Sequence, residues 1–202
     1  TVISAFNLSK SKNTIADLKI RQKSLQETVS PASEELIGHS SGMQQLFKLI
    51  EKVSATDANV LILGENGTGK ELVARAIHKQ SARSSNSFIK VDLGAIPESL
   101  FESELFGHKK GAFTDAKEDR MGHFELANQG SLILDEIGNL NLSLQSKLLS
   151  ALQNRQIIRL GSNRQIPIDI RLICATNMPL NQMVNEHTFR QDLLYRINTV
   201  VI

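Results

Sequence analysis

Eight consecutive residues, Gly64-Glu65-Asn66-Gly67-Thr68-Gly69-Lys70-Glu71, fit the pattern G-x-x-x-x-G-K. Glycines at these positions let the backbone turn tightly enough to aim several N–H groups inward, and the lysine adds an ammonium, so the segment can cradle a polyphosphate. That chemistry needs a strand before the loop and a helix after it, whose N-terminus adds partial positive charge. The apolar run 59–63 and the three-and-four apolar spacing of 70–80 supply both. The usual last residue of the pattern is Ser or Thr, whose hydroxyl ligates Mg²⁺. Here it is Glu71, so the ion is expected to be held by phosphates, water and another carboxylate.

That carboxylate stands at the end of Ser131-Leu132-Ile133-Leu134-Asp135-Glu136, an apolar strand closed by two acids. Asp135 can orient Mg²⁺ and its waters, and Glu136 can polarise a water for attack on a γ-phosphate. A third strand end, Ala175-Thr176-Asn177, offers an amide to the same phosphate and water. Downstream, a helix-like stretch over 189–196 carries Arg190 and Arg196. A guanidinium delivered to a γ-phosphate is worth roughly 10³–10⁵ in turnover. Six residues do not share one helical stripe, so at least one of the two is expected to reach a neighbouring subunit.

The elements that position these groups alternate along the chain. Runs 59–63, 88–93, 131–134, 170–175 and 199–202 are short and apolar, as strands buried on both faces are. Between them 70–80, 98–106 and 142–153 carry helical spacing. The fold class is therefore α/β, a three-layer αβα sandwich around a parallel sheet, with ligands at the carboxyl ends of the strands. Residues 1–30 read as a linker helix with partial coiled-coil character, from Leu8, Ile15 and Val29 with Leu18 and Leu25. Ser30-Pro31-Ala32-Ser33 punctuates the chain, and the globular domain occupies 31–202. The 202 residues carry 23 Lys and Arg against 21 Asp and Glu, with 41% hydrophobic, which excludes collagenous, disordered and strongly basic classes. The single cysteine, Cys174, has no intrachain partner, and no run has the length of a membrane span. A cytoplasmic protein without membrane contact is expected. The five histidines show no metal-ligand spacing.

Taken in order, these motifs resemble the AAA+ ATPase domain of the sigma-54-dependent transcriptional activators, the bacterial enhancer-binding proteins. The discriminating segment is Glu104-Leu105-Phe106-Gly107-His108-Lys109-Lys110-Gly111-Ala112-Phe113-Thr114-Asp115-Ala116. It is similar to the family's GAFTGA loop, which contacts sigma-54. The likeness covers residues from about 36 to 202. It implies that ATP binds Gly64, Glu65, Asn66, Gly67, Thr68, Gly69, Lys70 and Glu71, with Ile37 and Gly38 bordering the adenine. Asp135 and Glu136 would serve Mg²⁺ and water activation, Asn177 would be the first sensor, and Arg190 and Arg196 the fingers acting in trans. Phe113 and Thr114 would touch sigma-54 in the promoter-bound RNA polymerase. The same resemblance implies a ring of copies, expected as a hexamer, a helical lid after Ile202, a C-terminal domain for enhancer DNA and a receiver or other sensory domain upstream.

Two positions depart from the family. Asp115 stands where Gly is usual, adding an anion at the loop tip. Asp92 replaces the Asn that hydrogen-bonds the catalytic Glu, so Asp92 and Glu136 are expected either to titrate together or to be separated by loop movement. Both departures keep a second reading open, a regulator that uses ATP as an assembly switch without driving sigma-54.

Overall fold

The computed structural model describes residues 36–202; the expected linker helix over 1–30 lies outside the described residues. The chain enters through α1 (Ser41–Ser54), started by Ser40, whose Oγ accepts from Met43 N at 3.3 Å. It continues through β1 (Val60–Leu63), α2 (Lys70–Lys79) and β2 (Phe88–Asp92). One 3-10 turn (Glu98–Leu100) leads into α3 (Phe101–Phe106), then β3 (Gly107–His108), β4 (Arg120–Met121), α4 (His123–Leu126) and β5 (Ser131–Asp135). A second 3-10 turn (Ile137–Asn139), α5 (Leu142–Asn154), β6 (Gln156–Ile158), β7 (Gln165–Pro167) and β8 (Arg171–Thr176) follow, and α6 (Leu180–Asn185), α7 (Gln191–Ile197) and β9 (Val200–Val201) complete it.

Five strands form one parallel sheet in the order β2-β5-β8-β1-β9. Strand residues alternate faces, and both faces are apolar. Leu61, Leu132, Leu134, Leu172 and Cys174 join one core with α3, α5 and α7. Val60, Ile62, Ile133, Ile173 and Ala175 join the other with α1 and α2. Fully buried side chains of this size each contribute about 1.5–3 kcal/mol, and covering both faces confirms the α/β sandwich. Burial raises the Cys174 thiol far above its ordinary range, so it packs as a small hydrophobe. Arg171 is 1% exposed and donates to Val53 O at 2.8 Å and Ser54 O at 3.3 Å, satisfying carbonyls at the end of α1.

The structure differs from expectation in several places, among them the β3–β4 hairpin, α4 and α6, which were not among the elements expected from sequence. The stretch 98–106 is a 3-10 turn followed by a shorter helix, because Pro97 precedes the first and the chain bends at Leu100. The helix expected over 189–196 begins at Gln191, with Arg190 extended (φ −78°, ψ 129°) as its N-cap. Helix α1 and the antiparallel hairpin β6–β7 are additions to the elements read from sequence.

Candidate functional site

The phosphate loop forms where β1 ends. Gly64 N donates to Thr176 O at 3.2 Å, so the loop leaves the sheet beside the end of β8. Gly67 (φ 80°) and Gly69 (φ 88°) lie in the left-handed region, which a side chain would strain. Gly69 caps α2, and Thr68 Oγ1 donates to Glu65 O at 2.8 Å across the turn. Lys70 Nζ donates to Gly64 O at 2.9 Å and Glu65 O at 3.1 Å, holding its ammonium over the loop.

Asp135 and Glu136 follow from β5, the strand next to β8. Asp135 Oδ1 accepts from Glu136 N at 3.1 Å. Glu136 has φ 56° and ψ 46°, a left-handed conformation uncommon for a side-chain-bearing residue and characteristic of functional turns. Asn177, just past β8, donates from Nδ2 to Asn66 Oδ1 at 3.1 Å, joining residues 111 apart in sequence. Asn66, Asp92, Glu136, Asn139 and Asn177 line one open cleft of about 470 Å³ at the carboxyl ends of the strands. Asp92 accepts from Gly94 N on its Oδ1 at 2.9 Å, a local turn within the same cleft as Glu136.

Glu71 is committed to cations. Arg75 donates to its Oε1 at 3.0 and 2.7 Å, and Lys90 of β2 donates to its Oε2 at 2.6 Å. Burial alone would raise the Glu71 carboxyl, but these hydrogen bonds outweigh it and hold it below the usual carboxylate range. Lys90 also lies 3.6 Å from Asp135 Oδ2. Burial would lower its ammonium, and the bond to Glu71 with the nearby Asp135 raises it instead. Among the described residues no three His, Cys, Asp or Glu side chains form a metal cage. Asp135 beside a phosphate loop fits the alternative, Mg²⁺ held by one carboxylate together with nucleotide phosphates and water.

The remaining sequence candidates lie elsewhere. Arg190 forks onto its own Asp192 at 2.9 and 2.6 Å and donates from Nη1 to Ser146 Oγ at 3.1 Å. Arg196 donates to Leu152 O at 3.0 Å and lines a polar hollow with Asn59 and Thr199, at the opposite strand ends. Neither joins the cleft around the phosphate loop. Ile37 is 78% exposed ahead of α1, and a Cβ on Gly38 would meet Met43 Cγ at 2.6 Å. Phe113 is exposed, its ring edge-on to His108 at 4.9 Å. Thr114 and Asp115 are exposed beside it.

The 107–116 loop is rooted in backbone. Leu160 N donates to Gly107 O and Lys109 N donates to Leu160 O, both at 2.9 Å, which ties the loop to the β6–β7 hairpin. A nearly buried ion pair, Arg159 to Glu125 at 2.6 Å on both forks, ties the hairpin to α4.

A sequence profile described as the sigma-54 interaction domain matches residues 36–202, all of the described structure. The chain belongs to this family. The sigma-54 interaction domain here is 54% identical over 165 residues to the regulatory protein AtoC of Escherichia coli, covering 82% of this chain and 36% of AtoC. It is 48% identical over 181 residues to the Nif-specific regulatory protein of Azospirillum brasilense, covering 90% of this chain and 29% of that protein. The chain thus spans about a third of the curated relatives it matches. Among solved structures it resembles NtrX from Brucella abortus in complex with ADP (36% identity, TM-score 0.77, 97% of this chain and 41% of that one). The P-loop NTPase domain of an E. coli sigma-54 activator shares the fold at 20% identity (TM-score 0.55, 82% of this chain and 96% of that one). The sigma-54 interaction domain of this chain therefore has the fold of a P-loop NTPase domain.

Proposed function

We propose that this domain hydrolyses ATP to ADP and phosphate at boundaries between copies in a ring, and that hydrolysis moves the 107–116 loop against sigma-54 in promoter-bound polymerase. The observation that carries this reading is the convergence of Asn66 of the phosphate loop, Glu136 and Asn177 at one cleft, with Asp135 next to Glu136 at the end of β5, while Arg190 and Arg196 are absent from that cleft. A site complete for binding and water activation but lacking a cation for γ-phosphate charge is completed by a neighbour's guanidinium.

In this proposal the inward N–H groups of 64–69 and Lys70 bind the phosphates, Lys70 exchanging its two loop carbonyls for phosphate oxygens. Asp135 would hold Mg²⁺, which would supply neutralisation of phosphate charge when bound. Glu136 accepts a proton from the attacking water, and its left-handed backbone aims the carboxylate into the cleft. Asn177 orients that water, and its bond to Asn66 links the sensor to the phosphate loop. Glu71 supports the site through Lys90 rather than ligating the ion. Ile37 and Gly38 form the adenine border, and Phe113 and Thr114 the sigma-54 contact. Enhancer DNA would be bound by a separate domain.

A second reading, a nucleotide-driven assembly switch, is favoured by one observation: position 92 carries a carboxylate, which accepts from Gly94 N and has no amide to donate to Glu136. ATPase activity measured across protein concentration separates the two. Specific activity rising with concentration, and lost in both Glu136→Gln and Arg190→Ala, supports the shared-site motor. Binding of ATP without concentration-dependent turnover overturns it in favour of the switch. Capture of sigma-54 with a transition-state analogue of ATP tests the loop.

A further inference from the structure

Gln145 is a wholly buried polar side chain on an otherwise apolar helix face. It lies on α5 among Leu144, Leu148, Leu149 and Leu152, and is 0% exposed. Its Nε2 donates to Leu140 O at 2.7 Å and to Thr188 O at 3.0 Å, and its Oε1 accepts from Arg190 N at 2.8 Å. The three partners fix which end of the amide is oxygen, since two are carbonyls and one is an N–H. A buried polar group that uses both donors and its acceptor is costly to replace and rigid in place.

The two sides that Gln145 joins matter more than its burial. Leu140 closes the turn that starts at Glu136, four residues after the water-activating carboxylate. Thr188 and Arg190 belong to the bend from which α7 departs, and Arg190 N is a helix-start donor with no intrahelical partner of its own. The neighbouring Ser146 accepts from the Arg190 guanidinium at 3.1 Å. Two successive residues of one helix thus hold the backbone and the side chain of Arg190.

We infer that Gln145 is a positioning residue for Arg190, setting where that guanidinium is presented to the next copy. The inference rests on the proposed shared site. It predicts that damage at Gln145 appears at the neighbour's nucleotide and not at the subunit's own.

The test uses mixed oligomers. Gln145→Met matches the side chain in size and removes all three hydrogen bonds. Alone it should bind a fluorescent ATP analogue within two-fold of the parent while its turnover falls at least ten-fold. Glu136→Gln alone is inactive but presents an intact Arg190. In a 1:1 mixture, about a quarter of boundaries pair a competent Gln145→Met site with a competent finger, so turnover should rise to about a quarter of the parent's. A mixture no more active than the mean of its two components overturns the inference, since a merely stabilising Gln145 leaves its defect in its own subunit. Arg190→Ala mixed with Glu136→Gln is the control. Rescue there without rescue by Gln145→Met overturns the role of Gln145 alone, whereas no rescue in the control overturns the shared site and the inference with it. If Gln145→Met does not fold, Gln145→Asn, which keeps the amide on a shorter stem, enters the same mixtures with the same two outcomes.

Discussion

Replacing Lys90 by methionine removes a cation that bridges Glu71 and Asp135. Its ammonium is 2.6 Å from Glu71 and 3.6 Å from Asp135, with side chains 31%, 34% and 19% exposed respectively. At 3.6 Å and an effective dielectric of about 20, the gross attraction to Asp135 is about 4–5 kcal/mol. Partial exposure of all three groups screens it, leaving about 1 kcal/mol in the range of measured surface pairs. A divalent ion at Asp135 feels the same charge with opposite sign. Lys90→Met should therefore tighten Mg²⁺ binding in the presence of nucleotide about five-fold, the equivalent of about 1 kcal/mol. The assay is an Mg²⁺ titration of a bound fluorescent ATP analogue, read for parent and variant at low and at 0.5 M salt. The gain should shrink at high salt, as screening requires. Lys90 is raised in pKa by its carboxylate neighbours, so the gain should be constant from pH 6 to pH 9. A half-saturating Mg²⁺ concentration that is unchanged or higher in the variant refutes the electrostatic role of Lys90, provided its melting temperature shows a folded protein.

Two further outcomes follow from the packing. His78 is buried, with Nδ1 2.9 Å from Ser131 Oγ, and burial together with the charge of Arg171 lowers its pKa below the ordinary histidine value. The unfolded chain then binds a proton that the folded chain does not, so stability present above about pH 6.5 declines as pH falls, by at most about 1.4 kcal/mol per pH unit for one histidine. Urea unfolding between pH 7.5 and 5.5 should show that slope, flatter in His78→Gln; a residual slope is expected from His123, lowered in the same direction mainly by burial. At the hairpin tip, Gly161 has φ 73° and a Cβ there would lie 2.9 Å from Ala112 Cβ. Gly161→Ala should cost about 1–2 kcal/mol through left-handed strain and this contact, and should speed amide exchange over 111–116 while leaving nucleotide binding unchanged; equal exchange in parent and variant would show that the hairpin does not restrain the loop.

Much of the site was legible because its chemistry is local in sequence. A phosphate loop needs neighbouring glycines and a lysine, and Asp135-Glu136 sits at the end of a strand whose apolar run announces it. The sandwich was legible for a related reason, since strands covered on both faces lose polar alternation and become continuous apolar runs. What could not be read depends on contacts between distant residues. Asn66 and Asn177 are joined across 111 positions, and Lys90 looks like an ordinary strand residue until β2 is placed beside β5. Glu136 gives no sign in sequence of its left-handed backbone. The start of α7 was misplaced because helical spacing continues through Arg190, whereas its N–H is taken by Gln145. That glutamine is the buried amide of α5, and its residue type alone does not set it apart from Gln153 and Asn154 on the same helix.

The shared root of the 107–116 loop and the β6–β7 hairpin has a mechanical meaning. Leu160 grips Gly107 and Lys109 through two backbone bonds, and its neighbour Arg159 is pinned to Glu125. A pull on Phe113 therefore has no single weak joint at which to dissipate. It loads both backbone bonds together, passes into the hairpin and is delivered through the ion pair to α4, which packs directly on the edge strand of the sheet. Compliance is left to the turn around Gly111, where a Cβ would meet nothing within 4 Å. The tip can adapt to the surface it meets while its base transmits thrust, the division between a soft fingertip and a stiff knuckle.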